Sequence, residues 1–333
     1  MQKHQQRVKR QEERLQIKLN KHMLSVIITS YKEPGTIGKV IESIAKSSYS
    51  GIPKDFELIQ ISPDKETLHA GLKATKSLRL GKKFRQLIDP HRGKPYALNF
   101  AFKEAKGDIL ILTDGEVFFQ KNSVKHLLKP YENEKIGGVS GMPVSSNKRN
   151  SFYGYMSHLL VDSAHHRRTR VLDKVKDYYI SGKGFFPMSG YILSIKKGLI
   201  KKLQQDLLTE DAYMSYEIRR KGFEIAYAPK AKVTVKYPTT FKDYYTQKLR
   251  SIGGFIQLKQ LGIFEKDKQS RSFWIELPYA FFVLIYPKNI KELFWSLLMF
   301  PVRLVTWIGI FIERIILRKG VPKTGWKRIE STK

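Results

Sequence analysis

The stretch DILILTDGE, residues 108–116, is an apolar run closed by two carboxylates with one glycine between them. A short apolar run bounded by turn-forming residues is typical of a strand buried on both faces of a parallel sheet. Asp114 and Glu116 offer the oxygen ligands that hard divalent cations prefer, and Gly115 would let the backbone turn so that both carboxylates approach one point. Acidic residues after strands are also common in ordinary turns, so the triplet alone leaves a metal site and a plain turn both open.

Similar apolar runs precede this stretch and alternate with longer amphipathic segments. The alternation predicts βα units in which helices cross over between the parallel strands of an open α/β sheet. The predicted strands are 24–30, 56–62, 84–88 and 108–113, and the predicted helices are 37–47, 66–77 and 95–106. Ligands of such sheets bind beyond the carboxyl ends of the strands. We therefore expect Tyr31, Asp64, His91 and Asp114 to share one rim.

The chain after Gly141 has a less regular pattern. It contains a long polar and aromatic segment (151–175), a glycine-rich aromatic turn (181–190), a short strand and a helix predicted over 209–221. Neither a repeat of fixed period nor a low-complexity linker separates this half from the first. Both halves are therefore expected to belong to one domain.

Composition narrows the function classes. The 333 residues contain 61 lysines and arginines against 30 aspartates and glutamates, a formal net charge of +31, and no cysteine. The lack of cysteine excludes disulfides, thiolate zinc sites and cysteine nucleophiles. The charge favours polyanions, anionic lipid surfaces or phosphorylated substrates as partners, although general use of lysine on the surface explains part of it. A nucleic-acid-binding module is an alternative, but the basic residues form no recognisable reading helix or stacking sheet.

Two basic stretches are interpreted as surface. Residues 1–22 form an extension without the apolar core of a secretory signal, and we expect it to be solvated or to lie as a short helix on an acidic membrane surface. Residues 165–168 (HHRR) have side chains that point in different directions on a helix and no obvious carboxylate partner. We expect a basic surface there rather than a metal site.

Residues 270–320 are strongly apolar. A first run is too short to span a bilayer, and a second (293–317) is long enough but carries Pro301 and Arg303 near its centre, which disfavours a simple lipid-facing span. Interfacial or re-entrant helices are favoured, with a buried core helix as the alternative. The expected anchors at a cytoplasmic headgroup layer are Trp295, Trp307, Lys288, Lys291, Arg314, Arg318 and Lys319.

Residues 91–95 (HRGKP) follow the third predicted strand and open a helix. Arg92 and Lys94 add positive charge where backbone N–H groups also point outward, a combination suited to phosphate. Pro95 fits the first helical position, so part of this motif is plain capping.

Residues 209–211 (TED) stand at the start of the helix predicted over 209–221. Thr209 is a plausible N-cap, and the helix dipole would keep Asp211 ionised at neutral pH, as a general base must be. Farther along, Gln247 and Arg250 are three residues apart and share one face of a predicted helix. That face is suited to a sugar or a diphosphate, or is simply solvated.

Taken in order and spacing, these motifs resemble the family 2 glycosyltransferases, whose catalytic domain has the GT-A fold, over about residues 24–261. Residues 25–33 (SVIITSYKE) are similar to the family's opening strand and Tyr-Asn-Glu turn, with Lys32 in place of Asn. Residues 93–99 (GKPYALN) look like its Gly-Lys-x-x-Ala-Leu-Asn segment. The DGE triplet stands at the Asp-x-Asp metal motif, and residues 209–211 match the catalytic Glu-Asp.

The later motifs resemble a subgroup. Residues 238–240 and 247–250 are similar to the Gln-x-x-Arg-Trp region of membrane-bound polymerising members such as cellulose and hyaluronan synthases. Ser251 stands at the Trp position, which disfavours processive synthesis because that Trp is implied to hold the growing glycan. The implied plan is a basic extension (1–22), a GT-A domain (23–265) with a nucleotide-sugar half (23–141) and an acceptor half (142–265), and apolar membrane-associated helices (270–320).

The resemblance also implies an inverting chemistry. Asp211 would take the proton of an acceptor hydroxyl, while Mg²⁺ or Mn²⁺ held by Asp114 and Glu116 would neutralise the leaving diphosphate. The implied partners are a nucleoside-diphosphate sugar, a UDP-sugar foremost, a lipid-linked or glycan acceptor and membrane lipids, but no nucleic acid. A processive polysaccharide synthase and a non-catalytic membrane protein are the alternatives. The residues implied to bind the donor are Thr29, Tyr31, Glu33, Asp64, Arg92, Lys94, Asn99 and Asp114, and those implied for acceptor or diphosphate are Glu210, Gln247 and Arg250.

Overall fold

The computed structural model describes residues 23–48, 56–182, 184–263, 280–313 and 329–332. The predicted basic extension and parts of the apolar C-terminal region (264–279 and 314–328) lie outside the described residues. The strands are β1 (Leu24–Thr29), β2 (Phe56–Ser62), β3 (Phe84–Ile88), β4 (Ile109–Asp114), β5 (Phe118–Phe119), β6 (Ile136–Ser145), β7 (Asp173–Val175), β8 (Tyr178–Ile180), β9 (Ile192–Lys196) and β10 (Glu224–Val235). The α-helices are α1 (Ile37–Ser48), α2 (Lys65–Ser77), α3 (Lys94–Glu104), α4 (Ser123–Leu128), α5 (Phe152–Val171), α6 (Glu210–Arg220), α7 (Phe241–Gln260), α8 (Ala280–Ile285) and α9 (Ile290–Phe311).

The first four strands form the predicted parallel half of the sheet. β1 pairs in parallel with β2 and with β4, and β2 pairs in parallel with β3. All six residues of β1 are buried, as expected for a strand covered on both faces. β2 and β3 have the predicted bounds, and the other predicted strands and helices of this half agree with the structure to within two residues. The α/β class is confirmed.

The second half of the sheet is mixed. Its strand order, within the described residues, is β3-β2-β1-β4-β9-β6-β10-β8-β7, with β5 paired to β10. β9 lies antiparallel between β4 and β6, whereas β6 and β10 are parallel to each other. The antiparallel β9 brings the loop that precedes it, with Gly190 and Tyr191, to the same edge of the sheet as the end of β4.

The segment 151–175, for which the sequence pattern gives no helix bounds, contains a helix of 20 residues, α5. Ser151 caps it by accepting a hydrogen bond from the backbone N–H of Gly154 at 3.2 Å. α5 packs on β6 and also on α8 and α9. A helix packed on more than one side has no single apolar stripe, and therefore shows no helical period in its sequence.

Apolar layers cover both faces of the sheet. Val26 and Ile28 of β1 face the layer that contains α1 and α4, while Ile27 between them faces the layer that contains α3 and α6. A third cluster joins α5 and α7 to the C-terminal helices through Tyr155, Met156, Leu159, Tyr244, Val283 and Met299. The functional edge of the sheet is therefore bordered by the C-terminal helices.

α9 has an unusual distribution of side chains. Its inward face is partly polar: Glu292 forms a two-point ion pair with Arg149 (2.7 and 2.8 Å), and the Ser296 hydroxyl lies 2.5 Å from that of Tyr155. Its outward face exposes large apolar residues, among them Phe294 and Leu297. Among the helices described, α9 alone is long and apolar enough to cross a membrane, by length and composition.

Candidate functional site

A cavity of about 2050 Å³ opens at the carboxyl ends of the parallel strands. At one end the rings of Tyr31 and His91 lie 4.8 Å apart and form an aromatic wall. Lys32 and His91 both have left-handed backbone conformations, with φ of 53° and 59°. Asparagine adopts this conformation more readily than lysine, and the Asp64 carboxylate holds the turn by accepting the backbone N–H of Lys32 at 2.8 Å. Of the predicted rim, Tyr31, His91 and Asp114 line the cavity, and Asp64 supports the adjacent turn from outside its wall.

An ammonium group joins two carboxylates at the centre of the cavity. Lys94 Nζ lies 2.7 Å from Asp114 Oδ1 and 3.0 Å from Glu210 Oε1. Thr29 Oγ1 donates a second hydrogen bond to the same Asp114 oxygen at 2.7 Å. The two carboxylates outweigh the effect of burial and raise the pKa of Lys94, so it stays protonated. Lys94 thus links the end of β4 to the start of α6, and its predicted phosphate contact stays a prediction.

Asp211 lies next to this cluster in the cavity wall. Its carboxylate accepts hydrogen bonds from the backbone N–H groups of Gly190 and Ala212. A Cβ atom at position 190 would lie only 3.0 Å from Asp211 Oδ2, so glycine is the residue that fits. Burial, together with the negative charge of Glu210, raises the pKa of Asp211 to about 6. The predicted effect of the helix dipole is outweighed by burial, yet the group is still mostly ionised at pH 7.

Thr209 occupies the N-cap position of α6 as predicted, but its hydroxyl makes no capping hydrogen bond. Thr209 Oγ1 is buried and has no hydrogen-bond partner among the described residues. The methyl and hydroxyl groups instead pack where Gly254 of α7 lacks a side chain. The first turn of α6 is therefore positioned by its contact with α7.

The predicted face of α7 does point at the carboxylates. The largest electrostatic partners of Arg250 are Glu210, Tyr191 and Asp114, and burial lowers the pKa of Arg250. Gln247 Nε2 donates a hydrogen bond to the hydroxyl of Tyr191 at 3.3 Å. The same face carries Ser251 into the cavity wall.

The acidic triplet fits a divalent cation together with a diphosphate. Asp114 and Glu116 both line the cavity and both act on the phenol of Tyr191, so they face one region. A side chain at Gly115 would collide with Glu33 and Ser30; close packing, and not a special φ angle, requires this glycine. No group of three or more His, Asp and Glu in the described parts of the chain is arranged to hold an ion alone. Two carboxylates plus phosphate oxygens are a set that Mg²⁺ or Mn²⁺ accepts.

Three residues assigned to the donor lie outside the cavity wall. Asp64 caps α2 through the backbone N–H of Thr67 at 2.8 Å. The amide of Asn99 exchanges two hydrogen bonds (2.7 and 2.8 Å) with the backbone of Leu203. Arg92 stacks over the ring of Tyr96. These contacts hold turns and loops in place and do not support a direct donor role, whereas the donor roles of Tyr31 and Glu33, which do line the cavity, stay predictions.

Sequence reasoning missed two further groups. Asp89, directly after β3, is 8% exposed in the cavity wall, and burial raises its pKa. The pattern that singled out Asp114, a carboxylate directly after a predicted strand, could also have identified Asp89. The interpretation of residues 165–168 as surface was wrong for Arg167 and Arg168, which are each 8% exposed and line the cavity. No local signal marks this burial, because the aromatic rings that cover Arg168 come from distant parts of the chain.

Comparisons with known proteins agree on one family. A model described as glycosyltransferase-like family 2 matches residues 22–254. The poly-beta-1,6-N-acetyl-D-glucosamine synthase of Staphylococcus epidermidis is 23% identical over 231 residues, which are 68% of this chain and 53% of that protein. The chain thus spans about half the length of the curated relatives it matches.

Solved structures share the fold. A mannosyltransferase from Pyrobaculum calidifontis, in complex with GDP-Man and Mn²⁺, matches with a TM-score of 0.55 at 16% identity, over 88% of this chain and 80% of that one. GalNAc-T7 with UDP, GalNAc and Mn²⁺ matches with a TM-score of 0.50 at 17% identity, over 81% of this chain and 59% of that one.

Proposed function

Because this chain belongs to the glycosyltransferase-like family 2 and has the GT-A fold, we propose that it moves a sugar from a nucleoside diphosphate to an acceptor hydroxyl. The observation that carries the proposal is the position of Asp211 beside the Asp114–Lys94–Glu210 cluster, within one cavity. A carboxylate with a pKa near 6 is matched to general-base work at neutral pH.

The proposed reaction is a single displacement with inversion. Asp211 accepts the proton of the acceptor hydroxyl, the hydroxyl oxygen forms a bond to the anomeric carbon, and the bond from that carbon to the diphosphate oxygen breaks. General-base assistance contributes about 10²–10⁴-fold. Asp114 and Glu116 would hold a divalent cation, which supplies positive charge to the leaving diphosphate. Arg250, whose strongest electrostatic partners are in this cluster, adds fixed positive charge.

A donor screen tests the proposal. The full-length chain is mixed with UDP- and GDP-sugars, with a membrane lipid extract as acceptor, and release of nucleoside diphosphate is followed with Mn²⁺, Mg²⁺ or EDTA. UDP-N-acetylglucosamine is tested first, since the curated relative is named for an N-acetylglucosamine polymer. We expect release that depends on a divalent cation and on one donor. Absence of release above the Asp211→Asn background with every donor would sink the proposal.

A processive polysaccharide synthase is the second candidate, and the names of the relatives favour it. The small Ser251 in the cavity wall, at the place of the Trp that holds a growing glycan, favours the addition of one or a few sugars. Product length on a sizing column separates the two, because a polymer elutes ahead of the extended acceptor.

We further propose that α8 and α9 rest on the cytoplasmic face of a membrane. The support is the outward apolar face of both helices and the surplus of basic residues in the chain. A membrane position would place lipid-linked acceptors next to the cavity, since α9 forms part of its wall.

A further inference from the structure

Arg168 of α5 is a buried cation that forms no ion pair with any of the described residues. Its guanidinium lies over the ring of Phe186 at 4.5 Å and over that of Tyr227 at 5.2 Å, and it hydrogen-bonds the hydroxyl of Tyr227. Within the described ranges no carboxylate forms an ion pair with it. Burial of a charge is costly unless an opposite charge compensates it, and two aromatic faces compensate only in part.

Arg168 and Arg250 have different neighbours around Asp211. Its largest electrostatic partners are Tyr227, Tyr237 and Asp211, whereas those of Arg250 are Glu210, Tyr191 and Asp114. Asp211 is an electrostatic partner of both arginines, and Arg250 is the one near the carboxylates proposed to hold the metal. A diphosphate held at Asp114 has Arg250 as its neighbour, which leaves Arg168 for a different anion.

The cavity wall beyond Arg168 is apolar. Leu159 and Leu160, about two turns earlier on α5, line it together with Met299, Leu304 and Trp307 of α9. The wall thus reaches from a buried cation to the helix that carries the exposed apolar face, with Arg303 and Thr306 of that helix among the few polar lining residues. A ligand that matches both parts has a negatively charged group and a hydrocarbon chain.

Resting on the proposed function, we propose that the acceptor is an anionic amphiphile, whose phosphate pairs with Arg168 and whose hydrocarbon chain lies along the α5–α9 wall. The phosphate supplies the ion pair that Arg168 lacks among the described residues, and this contact places the acceptor hydroxyl at Asp211. Acceptors without a negative charge bind more weakly, because they leave Arg168 buried and unpaired.

The test uses octyl phosphate and octyl glucoside below their micelle concentrations, and inorganic phosphate, titrated calorimetrically into the full-length chain without donor. We expect octyl phosphate to bind about tenfold or more tightly than either of the others, and Arg168→Met to remove that preference while octyl glucoside binding is unchanged. Lys259→Met removes one charge from an exposed position of the same wall and should leave the preference intact. Arg168→Met should fold, because an apolar replacement of a buried charge is often neutral for stability.

Several results would overturn the inference. One is equal affinity of the unmodified chain for octyl phosphate and octyl glucoside, a result that needs no variant. Another is inorganic phosphate bound as tightly as octyl phosphate, which would indicate a site for a soluble anion. A third is a folded Arg168→Met chain that keeps the preference but releases less nucleoside diphosphate, since Arg168 would then act on Asp211 alone. Because binding is read without donor, failure of the donor screen is distinguishable from failure here.

Discussion

Lys94 brings together carboxylates that are far apart in the sequence, Asp114 at the end of β4 and Glu210 at the start of α6. The ion pairs explain how two segments from different halves of the chain converge on one point. Asp211 takes its position from the same turn of α6, and the backbone of Gly190 fixes the direction of its carboxylate. Single substitutions in this cluster should separate effects on the rate of sugar transfer from effects on donor binding.

Asp211→Asn should lower the rate of sugar transfer by about 10²–10⁴-fold, because the amide cannot accept the proton. Donor affinity should be nearly unchanged, since the replacement keeps the shape of the side chain and leaves Asp114, Glu116 and Arg250 in place. Initial rates and donor binding by calorimetry check this. Asp206→Asn, at an exposed position before α6, is the matched control. Transfer at the unmodified rate by Asp211→Asn would remove Asp211 from the mechanism.

The pH profile should report the same carboxylate. A base must be ionised, so kcat/KM should fall as pH drops below about 6, the pKa of Asp211. Burial and then the charge of Glu210 raise that pKa; Glu210→Gln removes the second cause, so the acidic limb should move to lower pH. Glu217→Gln, on the outer part of α6 in an ion pair with Arg220, should leave it in place. If the acidic limb of the pH profile stays at the same pH in Glu210→Gln, the limb does not report the ionisation of Asp211.

A single residue of the site can be predicted from the sequence only where its neighbours in the chain form a recognisable pattern. The sequence could single out Asp114, Glu210 and Asp211, which line one cavity, because carboxylates after a strand or at the start of a helix leave a short pattern. The contact of Asn99 with the Leu203 backbone could not be predicted, because the two residues are far apart in the sequence. The burial of Arg168 depends on Phe186 and Tyr227 and has no local pattern at all.

The helices and strands also differ in how well the sequence predicts them, and the reason is again whether the signal is local. β2 and β3 were predicted with their observed bounds, because each is a short β-rich run between polar turns. α5 was missed because neighbours on several sides erase the apolar stripe that identifies a helix. Its N-terminal end meets the C-terminal helices through a polar contact, Arg149 with Glu292 and Tyr286, and the Tyr286 hydroxyl donates to Asp162 at 2.5 Å.

This contact should hold α8 and α9 on the domain. Loss of one partner of a buried ion pair costs about 3–5 kcal/mol of stability. Arg149 is partly exposed, which reduces this cost. We therefore expect Arg149→Met to lower the free energy of opening α8 and α9 by about 2 kcal/mol. Hydrogen exchange of residues 280–313 measures it. Arg220→Met, which breaks the exposed pair with Glu217, should have almost no effect. Equal protection of α9 in both variants would show that apolar packing alone holds it.

The whole molecule combines a basic surface with one apolar side. Phe294 and Leu297 of α9 are 63% and 52% exposed, while polar groups of the same helix face inward. Hydropathy along the sequence identifies an apolar segment, but it does not show which face of the helix points away from the domain. That depends on the partners of Glu292 and Ser296, which only the folded chain brings together.

Replacing Phe294 and Leu297 by serine should weaken binding to vesicles of phosphatidylcholine and phosphatidylglycerol at least about tenfold, because burial of each side chain contributes about 1.5–3 kcal/mol. Flotation of the full-length chain measures this. Leu72→Ser, an exposed leucine on α2, is the control and should float normally. If the double variant floats as well as the unmodified chain, α9 is not the membrane-binding surface.

The size of the cavity has a consequence for the order of events. At about 2050 Å³ it exceeds the roughly 300–1,000 Å³ of ordinary ligand pockets, and its wall runs from Tyr31 to Trp307. A cavity of this size has room for the proposed donor and acceptor at the same time. We expect turnover to pass through a ternary complex. Reciprocal plots at several acceptor concentrations should then intersect, and no sugar should stay covalently bound to the protein between arrival of one substrate and departure of the other.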